Sequence, residues 1–213
     1  MIIAFDVDGT LLNTYPLVRA SYIHTFNKLL PSFQYDEALI KSFFGPPLPD
    51  TFYRVVQDEN QIKELIVTYQ DFSNKNAKKY LTVYPHTHEI LKTLRKEGHH
   101  LVVLSNKKTD AIIFEFQTVG IFHYFDDIIG YDKVRNPKPD PEGIYLLQSK
   151  YQEKCLLVGD SVFDIKTAKN ANIKAVGVTW ALTTKDDLVK AGADYLIDDF
   201  WELIKIVKEE NNV

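Results

Sequence analysis

Ile2-Ile3-Ala4-Phe5-Asp6-Val7-Asp8-Gly9-Thr10 is the stretch whose reading decides the fold. A short apolar run followed at once by two acids and a glycine reads as a buried strand that ends in a turn. Similar runs recur at residues 101–105, 127–130, 155–159 and 175–179, with a weaker one at 195–197. Their near-continuous hydrophobicity fits strands covered on both faces, as in a parallel sheet. Helical periodicity fills the gaps. Ile90, Leu91 and Leu94 make one apolar stripe that stops at Gly98, and residues 109–119 make another that stops at Gly120. Residues 164–171 and 199–209 supply two more. This alternation predicts an α/β fold, a Rossmann-like doubly wound parallel sheet.

Between the first two core strands the alternation fails. Residues 14–81 carry helix signals and no strand pattern: Val18, Tyr22, Phe26 and Leu29 share a helical face ended by Pro31, and residues 59–80 read as one long helix. A connection that needs only a few residues has been given a whole helical unit. The expected division is a catalytic core of residues 1–13 and 82–213, with an inserted all-helical cap domain at 14–81. Hinges are expected near residues 12–15 and 80–85.

The formal charge of −4 argues against a globally basic surface, so no nucleic acid partner is expected. A lone cysteine, Cys155, rules out an intrachain disulfide, and its apolar run makes it a core residue. No apolar stretch approaches the ~18 residues of a membrane helix, and the first residues resemble no export signal. A cytoplasmic protein without membrane attachment is expected, as a monomer or a dimer.

In a parallel sheet, ligands gather at the carboxyl ends of the strands. Four polar clusters fall there. In Asp6-Val7-Asp8-Gly9-Thr10 two acids spaced by two on extended chain point the same way. One carboxylate can attack phosphorus and the other can protonate the leaving oxygen and then activate water. Thr10 offers a hydroxyl, and an Asx-type turn is the simpler reading of the same residues. Ser105-Asn106 can hydrogen-bond phosphoryl oxygens, or serve as a helix cap. Lys138, between Pro137 and Pro139, can offset phosphate charge, or sit in an exposed turn. Asp160 and Asp164, one helical turn apart, suit Mg²⁺ together with Asp6. Asp164 would ligate directly or orient Asp160, although an acid at a helix N-terminus is common anyway.

With these residues in place, the chain resembles the haloacid dehalogenase-like hydrolases over essentially its whole length. The resemblance implies Asp6 as nucleophile and Asp8 as acid/base. It further implies a Mg²⁺ held by Asp6, the Asp8 backbone carbonyl and Asp160, and a helical cap over a small phosphorylated substrate. The family's true dehalogenases lack an aspartate at the place of Asp8, and its phosphonatases use a cap lysine that Lys28 and Lys41 do not stand out to supply. Leu12-Asn13-Thr14, His24-Thr25-Phe26-Asn27, the Gly45-containing segment from Phe44 to Phe52, and Trp180-Ala181-Leu182 resemble the family's pyrophosphatase branch, and its phosphoglycolate phosphatases next.

Residues 14–81 hold eight Lys/Arg against seven Asp/Glu, so the insertion is no magnet for anions. Arg19, His24, Lys41 and Arg54 each read as a substrate contact or as a solvated helix-face residue. Gly45-Pro46-Pro47 is the better candidate for a loop that points into the site. Two readings outside enzymology stay open: a phosphoaspartate switch, which would need only about half this length, and a silent binding protein on the same fold.

Overall fold

The computed structural model describes residues 1–211. Six strands form one parallel sheet: β1 (Ile2–Phe5), β4 (His100–Leu104), β5 (Asp127–Ile129), β6 (Cys155–Gly159), β7 (Lys174–Val178) and β8 (Tyr195–Ile197), in the order β5-β4-β1-β6-β7-β8. A second, two-stranded antiparallel ribbon joins β2 (Leu12–Asn13) to β3 (Thr82–Val83). The strand order reverses beside β1, which lies between β4 and β6 with Ala4 opposite Val102 and Leu157. Ligands in such sheets bind at that reversal.

The pleat sends alternate side chains to opposite faces. Ile3, Phe5, Leu101, Val103, Leu156 and Val158 pack under α5 (Thr87–Lys96), α6 (Thr109–Val119) and α10 (Glu202–Asn211). Ile2, Ala4, Val102, Leu104 and Leu157 face α7 (Glu142–Tyr151), α8 (Val162–Asn170) and α9 (Lys185–Ala191). All four residues of β1 are buried, as a strand covered on both sides requires. The expected doubly wound α/β fold is the fold observed.

Between the ribbon strands lie four helices: α1 (Tyr15–Leu29), α2 (Glu37–Ser42), α3 (Leu48–Tyr53) and α4 (Glu59–Tyr80). α1 starts with Pro16 in its first turn, where a missing N–H costs nothing. Asp58 opens α4 by accepting from the Gln61 N–H. Tyr22, Phe26, Phe43, Phe52 and Leu65 form a separate apolar cluster inside this insertion. Its aromatic rings meet at 5.0–6.2 Å, as between Tyr22 and Phe43 and between Phe26 and Phe52.

Strands β4, β5 and β7 stop one residue earlier than the apolar runs that announce them. Val7 is fully buried but lies beyond β1, where the chain turns. Its carbonyl accepts from the N–H groups of Thr10, Leu11 and Leu12, which curls the segment into a tight loop.

Candidate active site

Asp6 leaves β1 still tied to the sheet through its N–H, which donates to the Val158 carbonyl at 2.9 Å. The turn that follows depends on Gly9. Its φ is +82°, and an added Cβ would lie 2.4 Å from Asp160 Oδ2. Only glycine tolerates both conditions. Thr10, fully buried, donates its hydroxyl to Asp160 Oδ1 at 3.1 Å. Its hydroxyl thereby braces that carboxylate. The Thr10 carbonyl accepts from the Trp180 indole N–H at 3.2 Å, so Trp180 supports the same turn from behind.

From β6 come Asp160 and the start of α8. Ser161 and Asp164 form a capping box: the Ser161 N–H and hydroxyl both donate to Asp164 Oδ2, at 3.0 and 2.6 Å. Asp164 Oδ1 accepts from Lys138 at 2.5 Å, so both its oxygens are engaged. Lys138 also donates to Asp6 Oδ1 at 2.8 Å. Asp6, Asp160 and Asp164 each offer an oxygen within 4.8 Å of the others.

Burial pushes the Asp6 carboxyl up to about 6, against the opposing pull of Lys138. It also pushes Asp160 well above the usual carboxylate range, with Asp164 and Asp6 adding to the effect. Burial alone would lower the Lys138 ammonium, but the carboxylates of Asp164 and Asp6 outweigh it and hold it above its ordinary value. Three buried acids facing one ammonium leave excess negative charge, and all the donors are hard carboxylate oxygens. That is a setting for a divalent cation such as Mg²⁺, and the residues fit it.

Ser105 and Asn106 follow β4. Both are buried, and Ser105 Oγ accepts from the Lys107 N–H at 3.3 Å. The Asn106 amide donates to the Lys138 carbonyl at 3.1 Å and to the Gly45 carbonyl of the insertion at 3.2 Å. Asn106 thereby ties the core to the helical layer.

Asp6, Asp8, Ser105, Asn106, Lys138 and Asp160 all line one cavity of about 100 Å³, roofed by Gly45, Pro46 and residues of α1 and α4. The four cationic candidates of the insertion lie elsewhere. Arg19 pairs with Glu37, Arg54 donates to the Ser42 carbonyl, His24 stacks on Phe72, and Lys41 is exposed. The cavity's roof instead offers the neutral polar groups of Gln70, Ser73 and Asn74.

Among the cavity residues that sequence reasoning passed over, two meet at Asp8. Lys107 donates to Asp8 Oδ1 at 2.6 Å and to both oxygens of Glu115 at 2.8 and 2.7 Å. Glu115 shares the buried stripe of α6 with Ile112 and Phe116. An acid at that spacing, inside an apolar stripe, was the available signal.

Residues 3–178 match the haloacid dehalogenase-like hydrolase family. The chain belongs to it. This haloacid dehalogenase-like phosphatase is 34% identical to the pyrophosphatase PpaX of Oceanobacillus iheyensis, across 96% of its own length and 95% of the relative's. The PpaX of Bacillus velezensis is 32% identical, with 96% and 94% covered. Among solved structures, a predicted phosphoglycolate phosphatase from Haemophilus somnus superposes with a TM-score of 0.89 at 27% identity, covering 97% of each chain. A predicted phosphatase from Clostridium acetobutylicum gives 0.84 at 27%, covering 98% of each.

Proposed function

We propose that this chain frees phosphate from a small phosphorylated molecule through a phosphoryl group carried transiently on Asp6, with Mg²⁺ as its metal and pyrophosphate as its favoured substrate. The observation that carries the reading is the convergence of Asp6, Asp8, Ser105 and Asp160, from the ends of β1, β4 and β6, with Lys138, from the connection after neighbouring β5, onto one cavity. A turn or a cap explains any one of them. Nothing structural requires all five to meet.

Asp6 Oδ attacks phosphorus, and Asp8 gives a proton to the departing oxygen. Asp8 then takes a proton from the water that cleaves the acyl phosphate. Lys138 and Ser105 hold phosphoryl oxygens, and Lys138 steadies the Asp6 carboxylate at the same time. Asp6, Asp160 and the Asp8 backbone carbonyl would hold the cation, with Asp164 orienting Lys138 beside it. When bound, Mg²⁺ supplies charge neutralisation at the phosphoryl oxygens. Residues 14–81 act as a cap that moves on the β2–β3 ribbon and shuts out bulk water.

Pyrophosphate as the favoured substrate rests on the names of the relatives and on the size of the cavity. A second phosphate would find Lys108, which lines the cavity and, among the described residues, pairs only with exposed Asp110 at 3.6 Å. Phosphoglycolate is the second reading, favoured by the name of the Haemophilus somnus neighbour. Phosphate release in Mg²⁺ from pyrophosphate, phosphoglycolate, sugar phosphates and a nucleotide separates them. Preference for pyrophosphate supports the first, preference for phosphoglycolate the second. A phosphorylated state that lasts for hours would point to a switch instead, and no reaction with any of them to a binding protein.

A further inference from the structure

The two proposed catalytic aspartates are held in the same way. Lys138 bridges Asp6 to a buried acid behind it, Asp164. Lys107 bridges Asp8 to another, Glu115. The first bridge uses residues that the sequence motifs announce. The second rests on a glutamate in the middle of α6, far from any strand end.

Glu115 is 5% exposed, and among the described residues its carboxylate accepts only from Lys107. A buried acid with a single partner is costly to keep for packing alone, since an apolar residue would fill the same space. Its position has a geometric consequence. A lysine ammonium on four rotatable bonds has many places to go, but one held by two oxygens of a fixed helix has few. Lys107 reaches Asp8 at 2.6 Å from that fixed point, so the direction of the Asp8 carboxylate is set from α6.

We infer that Glu115 is a positioning residue: through Lys107 it aims Asp8 at the oxygen of the leaving group. This rests on the phosphohydrolase reading above, in which Asp8 is the acid. Both Glu115 oxygens are taken up by Lys107, so Glu115 acts through that lysine. Its contribution is confined to proton delivery, and proton delivery matters in proportion to the basicity of the leaving oxygen.

That dependence supplies the test. The unaltered protein, Glu115→Gln and Lys107→Met are assayed in Mg²⁺ on p-nitrophenyl phosphate, with a good leaving group, and on an alkyl phosphate, with a poor one. The kcat/KM values report the steps up to transfer onto Asp6. Glu115→Gln keeps the shape of the side chain and so the packing of α6, and thermal unfolding of both variants is followed alongside. The expected result is a loss of about tenfold or more on the alkyl phosphate and under about threefold on the aryl phosphate, in both variants. Equal losses on the two substrates, or no loss, would overturn the inference while leaving the phosphohydrolase reading intact. Failure of the unaltered protein to release phosphate from these esters and from pyrophosphate alike would remove both.

Discussion

Lys138 donates to Asp6 at 2.8 Å and to Asp164 at 2.5 Å, with only 3% of its side chain exposed. Removing one member of such a cluster leaves the others charged and unpaired. Lys138→Met should therefore lower the stability of the metal-free protein by ~3–5 kcal/mol, read from urea unfolding at neutral pH. Lys108 sits differently, on the exposed rim of the cavity. Lys108→Ala should raise KM for pyrophosphate by about five- to tenfold and barely alter KM for a monoester with an uncharged leaving group, since a rim charge contributes only ~1 kcal/mol. Asp6, Asp8, Ser105, Lys138 and Asp160 were legible in the sequence because each directly follows an apolar run or stands in an unusual proline setting. The division of labour among them was not. Thr10 offered only a hydroxyl to the reading, and that hydroxyl is given to Asp160, a partner 150 positions away. Pairings across such a distance leave no local trace.

At the scale of elements, the long periodic segments were the easiest to read. β6 and β8 carry the bounds of their apolar runs, and α4 and α6 those of their helical patterns. The ribbon β2–β3 was anticipated only as two hinges, because strands this short have no periodicity to show. The short helices α2 and α3 went unread for the same reason. β6 also sets the fate of the lone thiol. Burial pushes Cys155 up to about 12, so at pH 8 it stays protonated. Alkylation by iodoacetamide at pH 8 should be negligible in the native protein and complete in urea, as mass spectrometry would show. Within the insertion, Phe26 is fully buried and packs against Phe33, Tyr35, Phe43 and Phe52. Phe26→Ala should cost ~3–5 kcal/mol, read as a lower unfolding midpoint.

Across the whole molecule, the sheet fixes the acids and lysines while the insertion closes the space above them. Strand alternation made the α/β core legible, and its sudden absence over residues 14–81 exposed the insertion. What lines the roof was not legible. The charged residues that drew attention, Arg19 and Arg54, bind other parts of the insertion, and the cavity takes neutral Gln70, Ser73 and Asn74 instead. Charge is conspicuous in a sequence, but the direction of a helix face depends on what the helix packs against. No described helix is long and apolar enough to cross a membrane. The claim on which the rest stands is that Asp6 carries the phosphoryl group. Its most direct test compares phosphate release in Mg²⁺ by the unaltered protein and by Asp6→Asn, which keeps the side chain's size and removes the attacking charge. Release by the unaltered protein and a loss of at least about a thousandfold in the variant is the result this account predicts. An Asp6→Asn protein that turns over at the unaltered rate would contradict it.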